Sequence, residues 1–169
     1  LGGVLNLTSG VIVGPKTAGS QEVNIRSNVS ASIINHNANS FIDGRLRRKI
    51  YANNPLTLPL ALDFPVGDSL NPGGYNNATL TYTSGTVVTD AVAWFTPWPS
   101  TPPLGPVSSE CLVANWNTNQ LLNNGYWTFS KSASAFNGVY SLNLRNSGYN
   151  NQLTNRGFTV VKADIAADP

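Results

Sequence analysis

The chain is short of charge. Of its 169 residues only 11% are Asp, Glu, Lys or Arg, one is histidine, one is cysteine and none is methionine. Each shortage excludes something. A single cysteine, Cys111, cannot build an intrachain disulfide framework. Set in the apolar run "SSECLVANW", it reads as a small buried hydrophobe and not as a nucleophile. One histidine and one cysteine leave zinc without a ligand set. A net charge of +2 provides no field that would gather a polyanion, so nucleic acid is not an expected partner. No apolar run reaches the ~20 residues of a membrane-spanning helix, so membrane insertion is not expected either.

The same scarcity weighs against catalysis. His36, in "INHNANS", is the only imidazole that a Ser–His–Asp or Cys–His site could use. There is no G-x-S-x-G elbow, and "GPKTAG" lacks the G-K-[ST] ending of a phosphate-binding loop. Glycoside hydrolysis needs two suitably spaced carboxylates. Glu22, Asp43, Asp63, Asp68, Asp90, Glu110, Asp164 and Asp168 form no recognisable pair. The expectation is a protein that is not an enzyme and carries no resident cofactor.

What fills the space is uncharged and polar. Asparagine alone occurs 22 times, among Ser, Thr, Gly and Pro. These residues favour turns and caps, whereas the abundant Val, Ile, Thr, Tyr, Phe and Trp favour strands. Short apolar or alternating runs recur between Gly, Pro, Asn and Ser, and no amphipathic helix stands out. The fold class expected is all-β, with a β-sandwich-like body. Two segments near the start, "LNLTSGVIV" from Leu5 and "VNIRSNVSA" from Val23, repeat one pattern of apolar and polar residues. A period near twenty residues suggests β-helical turns on the N-terminal side, each coil burying the next. Residues 94–106 hold five prolines. Proline cannot donate to a central ladder, so residues 97–106 read as a stiff connection that subdivides one domain spanning 1–169. A chain opening on Leu1 is expected to be a processed product or a piece of something longer.

Four groups of residues stand out as candidate sites. In "GRLRRKI", Arg45, Arg47, Arg48 and Lys49 cluster on a strand-like alternation. The alternation puts Arg45, Arg47 and Lys49 on one face and Leu46, Arg48 and Ile50 on the other. Divided in this way, the cluster reads as solvated charge protecting a sheet edge. In "DFPVGD", Asp63 and Asp68 flank a Pro–Val–Gly turn. Two readings stay open there: the carboxylates accept turn N–H bonds, or they hold Ca²⁺ on a loop. Sugar-binding sandwiches present flat aromatics beside amides, for which Trp98, Trp94 and Tyr75 are the candidates. Trp116 and Trp127 read as core. Finally, with few Lys or Glu residues on the strands, open edges invite pairing with like subunits or neighbouring domains.

The order of motifs across residues 5–161 resembles a domain found repeatedly in large secreted and cell-surface proteins of the Bacteroidota, commonly cargo of type IX secretion. The pieces that carry the resemblance are "LNLTSGVIV", "ANSFIDGRLRRKI", "LDFPVGDSLNPGGYNNATLTYT", "GYWTFSKSASAFNGVYSLNL" and "FTVVKAD". "GRLRR" followed by "DFPVGD" is the most specific. The resemblance implies an extracellular or cell-surface location and an adhesin-like or filament-like structural role. It also implies O-glycosylation at Ser69, within "DSL" at 68–70. The expected function is therefore a structural or adhesive building block of a bacterial cell surface. The alternatives are a module that binds polysaccharide and a non-catalytic accessory domain of a secreted hydrolase.

Overall fold

The computed structural model describes residues 3–27, 29–50, 58–70, 74–87, 90–97, 126–131 and 137–144. Among the described residues there is no α-helix; the one helical element is a 3-10 turn at Ser30–Ser32. The first three strands are β1 (Leu5–Asn6), β2 (Ile12–Val13) and β3 (Val23–Ile25). The next three are β4 (Ile33–Ile34), β5 (Ile42–Asp43) and β6 (Leu46–Lys49). They pair in parallel and in order: Leu5 with Ile33, Ile12 with Ile42, and Val23 with Leu46. This is a β-helical stack of two coils, each laying three short strands on the three below.

The stacking offset is roughly 23 to 30 residues, which corrects the expected period. The similarity between "LNLT" and "VNIR" relates β1 to β3, two strands of the same coil that lie in different sheets. Corners explain why the strands are so short. Asn35 turns β4 into β5 with φ 63°, a left-handed value that Asn tolerates through its short polar side chain. Gly44 breaks "FIDGRLRRK" into β5 and β6, and an added Cβ there would meet the Gly14 backbone at 3.2 Å.

The rest of the described chain is antiparallel. It comprises β7 (Leu60–Gly67), β8 (Tyr75–Val87), β9 (Asp90–Thr96), β10 (Tyr126–Lys131) and β11 (Asn137–Leu144). These strands do not form a separate body. β7 pairs with β5 through Ile42 and Val66, giving a five-stranded sheet of order β11-β8-β7-β5-β2. β9 pairs with β6, giving a four-stranded sheet of order β10-β9-β6-β3. Two sides of the coil stack thus run on as the two sheets of a sandwich. The expected turn in "DFPVGD" is instead strand: Asp63 to Gly67 all pair with β8. Pro65 lies next to Val66, the only β7 residue paired to β5, so its missing N–H falls where β7 is almost an edge.

One core joins the coils to the sandwich. Every second residue of β7 (Leu60, Leu62, Phe64, Val66) meets every second residue of β8 (Ala78, Leu80, Tyr82) and of β9 (Ala91, Ala93, Phe95). That is the period-2 pleat. Ile25, Ile33, Ile42 and Leu46 extend the same core into the coils. Between the sheets, Phe64 and Phe129 meet edge to face at 5.6 Å, and Trp127 donates its indole N–H to the Asn76 carbonyl at 3.1 Å.

Candidate functional site

The arginine cluster is not an edge device. β6 lies between β3 and β9, so its backbone is paired on both sides. The alternation read from the residues does describe the faces: Leu46, Arg48 and Ile50 are buried inward, while Arg47 and Lys49 are half-buried on the outer face. The role inferred for them is corrected, because two of the four charges are inside the protein. Arg48 is 0% exposed. Its Nη1 donates to the Asp63 carbonyl at 2.8 Å, and its Nη2 donates to the Val29 carbonyl at 3.0 Å and the Ser32 hydroxyl at 2.6 Å. One guanidinium therefore ties β6 to β7 and to the turn before β4. Burial pushes Arg48 down to about 10, with the Asp63 charge opposing the shift. A value of about 10 leaves it charged at neutral pH, and its fixed fork of donors meets three oxygens.

On the outer face the charges cross three strands. Arg47 Nε donates to Glu22 Oε1, ahead of β3, and its Nη1 donates to Asp90 Oδ2 on β9 at 2.9 Å. The Glu22 hydrogen bond, reinforced by Asp90 against some desolvation, raises the Arg47 pKa further above its ordinary value. Arg45, 6% exposed, lies with its guanidinium carbon 4.3 Å from the Trp94 ring centre and its Nε 4.0 Å from Glu22 Oε2. The ring face takes the place of hydrogen bonds for that cation.

Neither described aromatic candidate offers a face to a sugar. Trp94 is 8% exposed and covered by Arg45. Tyr75 is 3% exposed, packs beside Phe41 and shares a 2.6 Å hydrogen bond with His36 Nδ1. The polysaccharide reading of these two side chains is therefore corrected by their burial. Trp98, Trp116, Cys111 and the connection over residues 98–106 lie outside the described residues.

Asp63 and Asp68 are not brought together. They have opposite parity along the extended chain and separate partners. Asp63 accepts from Thr79 Oγ1 at 2.5 Å and lies 3.7 Å from His36 Nε2. Asp68, 3% exposed, lies 3.8 Å from Lys16 Nζ and accepts from the Leu70 N–H at 3.2 Å. The turn-bonding reading thus holds for Asp68. Among the described residues no three His, Cys, Asp or Glu converge as a metal site, and the calcium reading of this pair is withdrawn on that geometry. An ammonium is the cation near Asp68: Lys16 Nζ also sits 2.5 Å from Asp43 Oδ1. Ser69 closes the group, donating its N–H at 2.9 Å and its hydroxyl to Asp43 Oδ2. Burial raises the Asp43 pKa, but the Lys16 and Ser69 hydrogen bonds outweigh it and hold the carboxyl below its ordinary value. Lys16 belongs to the first coil, Asp43 to the second and Asp68 to the end of β7, so this group bolts the stack to the sandwich.

His36, Tyr75, Asp63 and Thr79 form a second bolt, between the loop after β4 and the β7–β8 hairpin. His36 and Lys16 went unrecognised as partners in the sequence. The only signal was their distance along the chain, which matters once the coil offset is known. The nearby His36 above all, with the Thr79 hydrogen bond and against some burial, depresses the Asp63 pKa to about 2. Its unfolded value is ~3.9. Its contribution to stability is therefore complete above that value and is lost as pH falls towards the folded one. Replacing Asp63 with Asn should flatten the fall of melting temperature with acidification below pH ~4. Equal slopes for wild type and D63N in a calorimetric pH series would show that the carboxylate contributes nothing there.

The remaining feature is at the ends. Among the described residues the outermost strands are β2 and β11 in the five-stranded sheet and β3 and β10 in the four-stranded sheet, while β1 and β4 pair with each other alone. β2 and β3 both belong to the first coil. Ile12 and Gly14 donate inward to the Phe41 and Asp43 carbonyls at 3.0 and 2.8 Å. Alternation along a parallel ladder then turns the Val13 peptide outward. Searches against family models, curated proteins and solved structures found no match.

Proposed function

We propose that the chain is an extracellular structural building block of a bacterial cell surface, joined to like subunits or to neighbouring domains through its strand edges. The observation that carries this reading is that, among the described residues, β2 and β11 are the outermost strands of the larger sheet and neither strand carries a charged residue. Natural edge strands are ordinarily blunted by lysine, proline or a covering element. The low charge, the solubility drawn from Asn, Ser and Thr, and the motif resemblance support an exterior location. Burial of Trp94 and Tyr75 removes support from the sugar-binding alternative.

Labelling with an antibody raised against the chain tests the location. Intact source cells should be decorated, and brief protease treatment of those cells should strip the label. Label confined to lysed cells would overturn the proposal.

A further inference from the structure

Lys16 and Asp43 meet more closely than a surface ion pair requires. Val13 pairs with Asp43 along the β2–β5 ladder, and the Gly14 N–H donates to the Asp43 carbonyl at 2.8 Å. Lys16 follows two residues later, with its Nζ 2.5 Å from Asp43 Oδ1. The carboxyl carbon lies one bond further. The Asp43 and Asp68 side chains are only 7% and 4% exposed, and Lys16 is 22% exposed. Asp43 Oδ2 accepts both the Ser69 N–H, at 2.9 Å, and the Ser69 hydroxyl. A second carboxylate oxygen, Asp68 Oδ1, stands 3.8 Å from the same Nζ.

We infer that Lys16 and Asp43 condense into an isopeptide bond, a side-chain amide that joins the first coil to the second, with Asp68 passing the protons. Asp43 is ionised beside Lys16, so the ammonium supplies both protons that move. The first passes through Asp68 to Asp43 Oδ1. The lone pair freed on Nζ then attacks the carboxyl carbon, and the new N–C bond pushes negative charge onto Oδ2. The two Ser69 donors are already aimed at that oxygen, where they act as an oxyanion hole. The second proton leaves nitrogen through Asp68 for Oδ1, the C–Oδ1 bond breaks, and one water departs. Asp68 ends as the carboxylate it began as, and no oxidant, metal or co-substrate is consumed. Two features favour the step. The fold holds amine and carboxyl together, which supplies the entropy of a bimolecular encounter in advance. Condensation also abolishes two charges whose desolvation the folded chain would otherwise bear. The inference stands apart from the building-block reading, since mass reports the bond and cell labelling reports the location.

Mass spectrometry of the folded full chain, denatured only for the measurement, tests it. The wild type should weigh one water less than its sequence, and digestion should release a branched peptide joining the Lys16 and Asp43 segments. A wild type at its full sequence mass overturns the inference. Asp43 also precedes Gly44, whose peptide nitrogen could cyclise onto the same carboxyl with the same loss of water. Lys16→Arg separates the two, because it keeps a cation on Asp43 and cannot form this amide. It should show the full sequence mass, and an Arg variant still short of one water overturns the inference. Asp68→Asn should leave most of the chain uncondensed; condensation as complete as in wild type would remove the proton-passing role. The wild-type mass and the branched peptide decide the bond itself even if a variant fails to fold.

Discussion

Arg48→Ala is expected to destabilise the protein by about 4 kcal/mol, a large effect for one truncation. The guanidinium is 0% exposed and its removal takes a donor from three oxygens, the Asp63 and Val29 carbonyls and the Ser32 hydroxyl, of which the Val29 carbonyl keeps the Ser32 N–H at 3.0 Å. A buried acceptor left without a donor costs about 1–3 kcal/mol. The void adds to that, because a packed interior closes only partly around it. Some of the loss is recovered as the desolvation of a cation that no longer has to be buried. Arg48→Met, which keeps most of the volume, should cost less than Ala but remain clearly destabilising, since the Asp63 carbonyl and the Ser32 hydroxyl still lose their guanidinium donor. Urea denaturation at neutral pH measures both. A loss under about 1 kcal/mol for R48A would mean that water satisfies these oxygens and that the residue does not tie the turn to β6 and β7.

Gly67→Ala should be the other severe change, on the order of 3 kcal/mol, by the opposite mechanism of overpacking. A Cβ at Gly67 would overlap the Gly74 carbonyl and come within 2.8 Å of Phe41 Cε2. The carbonyl cannot move freely, because it accepts the Asp68 N–H at 2.8 Å and the Asn76 side-chain amide at 2.9 Å. Phe41 is held against Tyr75, which holds His36. One methyl group would therefore press on the end of the β7–β8 pairing and on the second bolt together. Gly44→Ala, where the nearest backbone atoms are 3.2 Å away, provides the graded comparison and should cost less. Each variant adds a single methyl group, so comparing their denaturation midpoints isolates the close approach. Equal midpoints would show that the hairpin relaxes around the methyl group added at Gly67 at little cost.

Particular residues show where the sequence could be read and where it could not. The alternation in "GRLRRKI" named the two faces of β6 correctly, because successive side chains of any strand point to opposite sides. It did not say which face was inside. That depended on β3 arriving on one side and β9 on the other, so the same pattern that looked like a solvated edge became the middle of a sheet with Arg48 in the core. "DFPVGD" looked like a turn because Pro and Gly are turn residues. Pairing with β8 held it extended, since eight residues in register outweigh one missing N–H. Trp94 and Tyr75 were recognisable as large aromatics but not as covered ones, because Arg45 and His36 reach them from far along the chain.

By itself the sequence determined the all-β class, the two-faced strands and the shortage of charge. These follow from local propensities and from a pleat of period two, which need no distant partner. Tertiary structure alone decided the coil offset, the continuation of the coils into both sheets, the burial of Arg48 and the separation of Asp63 from Asp68. Each of those depends on which segments meet across many residues. Contacts at that range are chosen by the packing of the whole core and not by any residue's own preference.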